Sequence, residues 1–138
     1  MRNMKSTPER IVEKDGSIHF GSFRKPFQNA NILDAKLYSW PVPGFWKNFR
    51  LKEWQHFGIV TPTHYFGMVI FDAKMGGFSF FYAYDRLNNS RFEHERQTHG
   101  KSFNVAKQPY NDACRFEAKG YRLRFENKLS QGSHQISI

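Results

Sequence analysis

The stretch Glu53–Asp85, EWQHFGIVTPTHYFGMVIFDAKMGGFSFFYAYD, decides the fold. It divides into three consecutive strands and two short turns. The first strand runs from Glu53 to Thr61 and stops at Thr61-Pro62-Thr63, because proline has no N–H for a ladder and fixes its own φ. The second runs from His64 to Ala73. Lys74-Met75-Gly76-Gly77 then turns the chain again, with two glycines free to take positive φ. The third runs from Phe78 to Asp85. Side chains alternate along a strand, so Phe78, Phe80, Tyr82 and Tyr84 share one side and Ser79, Phe81 and Ala83 the other.

The second strand is apolar on both sides. His64, Phe66, Met68 and Ile70 lie on one; Tyr65, Val69 and Phe71 lie on the other, with Gly67 between. An antiparallel sheet with one wet face alternates apolar with polar, and this strand does not. A second sheet, a segment closing a barrel, a partner chain or a lipid-like ligand must cover both faces. Plain core packing in a sandwich or barrel is the commonest way.

Upstream, residues 1–34 form a polar segment and extended loop. Met1–Asp15 is charged and expected to fray or to adapt to another surface. Gly21-Ser22-Phe23-Arg24-Lys25-Pro26 favours extended or turn backbone. Residues 35–138 form the antiparallel sheet domain. Ala35–Trp40 is expected to be a short strand. Pro41-Val42-Pro43-Gly44 breaks regular structure, and the aromatic and cationic run Phe45–Lys52 is expected to plug one end of a barrel or sandwich. A single helical turn, an irregular strand and an interfacial anchor for lipid headgroups are the alternatives.

Downstream, Arg91–Thr98 alternates as an edge or half-exposed strand, and its charges discourage edge pairing. Residues 99–112 are a loop. Ala113–Ala118 is a strand, and Tyr121–Asn127 the cleanest amphipathic one, with Tyr121, Leu123 and Phe125 inward. His134–Ile138 is a final strand, cut off by the chain end. The turn spacing predicts an all-β antiparallel meander of about seven or eight strands, an open or incomplete barrel, with no helix.

The chain has 138 residues, one domain's length, and 15 Phe among 17% aromatics, which excludes disorder. It carries 21 Lys+Arg against 12 Asp+Glu, a formal charge of +9. Such a balance attracts anionic membrane or nucleic acid, but the charges are spread along the chain, so a nucleic-acid site is not expected. One cysteine, Cys114, precludes an intrachain disulfide and suits a reducing compartment. The N-terminus has no apolar signal region and no stretch is long enough to span a membrane. A cytoplasmic location is the expectation.

Neither His94 with His99 nor His56 with His64 has the spacing of a zinc motif. There is no phosphate loop, nucleophile elbow or dinucleotide fingerprint, so no metal and no cofactor is expected. Four polar residues in the aromatic stretch invite acid–base chemistry: His56, His64, Asp72 and Asp85. Each could act as a proton donor if apolar surroundings shifted its pKa. The commoner roles are an interior histidine and two carboxylates capping turns.

Several of these runs resemble a known family. Leu51-Lys52-Glu53-Trp54-Gln55-His56-Phe57, Thr61-Pro62-Thr63-His64-Tyr65-Phe66 and Phe80–Asp85 look like the patterned region of domain-of-unknown-function family 2804. Gly21–Pro26 looks like its N-terminal motif. That family has no established activity and lends no functional residues. The resemblance implies that this chain is the N-terminal part of a longer fold, with a C-terminal half as its partner. It also implies, more distantly, a lipocalin-like barrel with an apolar interior, half of a double barrel.

Three functions follow as expectations. The first is a binding module holding a hydrophobic small molecule or lipid in a barrel-like cavity, with Trp54, His56, Phe66, Phe78, Phe80, Tyr82 and Tyr84 as its lining. The second is an enzyme acting on a lipid or isoprenoid double bond through His56, Asp72 or Asp85. The third is a basic domain for anionic membrane or nucleic acid. As an open sheet or incomplete barrel, the chain is expected to expose an aromatic face including some of Phe66, Phe78, Phe80 and Tyr82.

Overall fold

In the computed structural model, which describes residues 3–138, the fold is all-β with one short helix. Strands β1 (Glu53–Val60), β2 (His64–Asp72), β3 (Gly77–Asp85) and β4 (Ser90–Thr98) form one antiparallel sheet in chain order. Strands β5 (Phe103–Asn104), β6 (Asp112–Ala118), β7 (Tyr121–Lys128) and β8 (Ser133–Ser137) form a second, also in chain order. Neither sheet closes on itself, so the architecture is an open, incomplete barrel of two facing sheets.

The turns are where the sequence places them. Thr61 and His64 close the first, with the Thr61 N–H donating to the His64 carbonyl at 2.8 Å. In the second, Ala73 N donates to Gly76 O at 3.0 Å and Lys74 takes φ +69°. Its Nζ pairs with Glu53 and, at 2.9 Å, with Asp72. Burial opposes charge on Lys74, yet the hydrogen bonds its ammonium donates to both carboxylates outweigh it and raise the pKa.

One core lies between the sheets. Met68 and Ile70 meet Cys114, Phe116, Leu123 and Phe125, all 2% exposed or less. Phe57 stands edge-on to Phe125 at 5.0 Å. Each such buried side chain contributes about 1.5–3 kcal/mol. Several polar groups crossing between the sheets pair with one another, whereas the buried Nε2 of His94, packed on Tyr121, has no hydrogen-bond partner among the described residues. Gln55 Nε2 donates to Asn127 Oδ1 at 2.6 Å, and Asn127 Nδ2 returns a bond to Gln55 Oε1 at 3.1 Å. The Cys114 thiol donates to the same Gln55 oxygen at 2.9 Å. Ser79 and Tyr121 share a bond of 3.1 Å.

Residues 3–34 of the N-terminal segment fold rather than fray; the expectation for the first two residues lies outside the described residues. Ile11, Val12 and Ala35 form a second small cluster. The Asn31 amide pairs with both the N–H and the carbonyl of Val12, at 3.1 and 3.0 Å, in the manner of a strand partner. Tyr110 Oη ties this unit to the second sheet through Pro26 O at 2.8 Å.

Two local expectations fail. Ala35–Trp40 forms no strand, since Ala35 turns into the N-terminal cluster. The run after Pro43 is helix α1 (Gly44–Arg50), and it plugs nothing: none of its residues is buried. No helix among the described residues is long and apolar enough to cross a membrane.

Candidate ligand-binding face

The register assigns every side chain of the first sheet to one of two faces. Residues of β2 and β3 pair as Phe66 with Ala83, Met68 with Phe81 and Ile70 with Ser79. These even-numbered positions of β2 and odd-numbered positions of β3 look at the second sheet. The other set looks away: Trp54, Phe71 and Phe78 in one row, His56, Val69 and Phe80 in the next. Below them come Gly58, Gly67 and Tyr82, then Val60, Tyr65 and Tyr84.

The sequence-predicted lining is therefore divided. Trp54, His56, Phe78, Phe80, Tyr82 and Tyr84 come together on the outer face. Phe66 lies on the inner face, stacked on His64 at 5.7 Å and on Phe81 at 6.3 Å. Among the described residues, the space between the sheets is filled by the core side chains.

The outer face is a continuous aromatic surface. Trp54 meets Phe71 at 6.2 Å and Phe71 meets Phe78 at 6.0 Å. Phe80 stacks on Tyr82 at 6.1 Å, and Tyr82 meets Tyr65 at 5.5 Å. Two glycines make room for it. Gly58 and Gly67 face one another across β1 and β2, and the Tyr65 and Tyr82 rings lie over them. A hydrogen bond with Tyr65, with some burial, raises the Tyr82 pKa. Trp54 remains 63% exposed and Phe80 38%. Along β4 this surface ends in Arg91, Glu93, Glu95 and Gln97, of which Arg91 and Glu93 pair at 3.2 Å.

The candidate acids and bases do not converge. His56 is exposed on the outer face, whereas His64 stacks on Phe66 on the inner one. Asp72 holds the β2–β3 turn, accepting from Lys74 N at 2.6 Å and from Lys74 Nζ. Asp85 holds the β3–β4 turn, accepting from Leu87 N, Asn88 N and Asn88 Nδ2 at 2.7–3.1 Å. The Asn88 side chain and the two backbone N–H groups lower its pKa. A carboxyl held ionised in this way is a poor proton donor. His99 Nδ1 lies 3.2 Å from the Met75 carbonyl oxygen, and His94 packs on Tyr121 at 4.7 Å.

The outer second sheet differs in kind. Arg115, Glu117, Arg122, Arg124, Glu126 and Lys128 alternate there with the core residues, and Glu126 bridges Arg124 and Lys128 at 2.9 and 2.8 Å. That face is an ordinary solvated surface. Sequence reasoning had no means of finding the glycine pair at 58 and 67, because its meaning appears only once the strands are in register.

No curated protein and no solved structure matches the chain. The model of the family described as Domain of unknown function (DUF2804) matches residues 2–138, almost the whole length, and the chain belongs to that family.

Proposed function

We propose that this chain is a binding module that holds a hydrophobic small molecule or lipid against the aromatic outer face of β1–β4. One observation carries the reading: an antiparallel sheet that faces its core on one side presents a second, partly exposed aromatic surface on the other. Contiguous apolar patches of this kind mark interaction sites more often than inert surface. The charged rim along β4 suits an amphiphile with a polar end. The DUF2804 family brings no activity that competes with this reading.

The test is titration of the full chain with a hydrophobic fluorescent dye and with a fluorescent fatty acid. Saturable binding is expected, weakened about fivefold to tenfold by Phe80→Ser or Trp54→Ser. Both side chains are exposed enough for the variants to fold. Absence of saturable binding, or identical affinity in both variants, overturns the proposal.

A further inference from the structure

Between Asp34 and Glu53 the chain contains no acidic residue. Over the same span it carries Lys36, Lys47, Arg50 and Lys52, with Tyr38, two tryptophans and two phenylalanines. The structure keeps these aromatics out of the core. Trp40 is 64% exposed, Phe45 69%, and Trp46 and Phe49 are also exposed. A seven-residue helix has little stability of its own, so its apolar groups are held in water by the anchors around it. Lys47 Nζ donates to Leu33 O and Ala35 O at 3.2 and 3.1 Å. Lys52 Nζ donates to Phe49 O and Ala73 O at 3.0 and 2.6 Å.

The patch is continuous. One shallow depression runs beside Leu37, Tyr38, Arg50 and Leu51. A second shares Tyr38 and Arg50 with it and adds Trp40 and Trp46. A third extends from Trp46 to Phe45 and Phe49. Cationic groups thus border an apolar aromatic surface, with the ammonium of Lys52 over the Phe49 ring at 5.1 Å.

We propose that the segment Lys36–Lys52 is a docking surface for an anionic lipid bilayer. Tryptophan and tyrosine favour the headgroup level, where an apolar ring and a polar edge are both accommodated. The cations complement an anionic leaflet, and no acid within the segment opposes them. The formal charge of +9 orients the chain towards such a surface over a longer range. Nucleic acid is the weaker fit, because the surface between the cations is an exposed apolar and aromatic patch rather than a line of cations along a groove. This docking does not rest on ligand binding at the outer face of β1–β4.

The test is flotation of the full chain with phosphatidylcholine vesicles, with and without about 30 mol% phosphatidylserine. Binding is expected to the anionic vesicles alone and to weaken with salt. Arg50→Glu should lower it roughly tenfold or more and Trp40→Ala several-fold, while Arg50→Lys retains it. Phe80→Ser, on the other surface, should leave it unchanged, which separates this proposal from the one above. Near-ultraviolet circular dichroism checks that each variant folds. Equal binding to neutral vesicles, no binding at low salt, indifference to Arg50→Glu and Trp40→Ala together, or displacement of the vesicles by a single-stranded oligonucleotide overturns it.

Discussion

Tyr82 packs directly against Gly67, its neighbour in the β2–β3 ladder: a Cβ built on that glycine would overlap the phenol ring. The aromatic covers backbone that glycine leaves bare, and the glycine admits an aromatic that a side chain would displace. The pair fixes the height of the outer face, since the Tyr82 ring stacks in turn on Phe80.

Gly67→Ala should therefore destabilise the fold by about 1–3 kcal/mol, as overpacking does when the neighbour is a wide ring on a rigid strand. Tyr82→Ala in the same chain removes the overlap. Urea denaturation of both singles and the double should give a double-mutant loss smaller than the sum. Additive losses would mean that ring and glycine do not interact.

The Cys114 thiol is expected to resist thiol reagents in the folded chain and to react fully after unfolding. Burial pushes its pKa from 9.0 up to about 11, with the backbone N–H of Ala106 opposing weakly. The unfolded thiol ionises first, so the folded state holds more protons between these values, and stability falls as pH rises from 9.0 to about 11. The loss is on the order of 2 kcal/mol. Cys114→Ala should flatten that part of the stability curve. An unchanged slope in the variant would remove the thiol as its cause.

Asp85 should titrate below 3.8 because the Asn88 side chain and the backbone N–H groups of Asn88 and Leu87 favour the carboxylate. Its contribution to stability is present above that value and is lost as pH falls through the lower folded pKa. Carbon-detected NMR of the carboxyl should show the low midpoint, and Asn88→Ala should move it up. A midpoint at or above 3.8 in the parent chain would contradict the turn geometry.

Much of the first sheet was legible in its punctuation. Pro62 and the Gly76-Gly77 pair mark the turns, and alternation in Tyr121–Asn127 gives an inward face that packs as read. Which face of β3 points to the core was not legible, because both faces of β2 are apolar. The answer depends on turn parity. Asp72 pairs with Gly77, so even positions of β2 meet odd positions of β3, and Phe66 separates from Phe78 and Phe80. A turn one residue longer would have united them. The two-residue β5 is too short to leave a periodic signal. Helix α1 was obscured for another reason: three large aromatics in seven residues form no buried stripe, since the helix buries nothing.

The reciprocal amide pair between Gln55 and Asn127 joins residues 72 positions apart. Every ladder within the first sheet instead links consecutive strands through short turns. The hairpins are thus local events, and the clasp between sheets closes a far larger loop, whose entropy must be overcome before its bonds form. Both meanders, β1–β4 and β5–β8, are built from such local hairpins, so the bonds between the sheets are the ones that carry the long-loop cost.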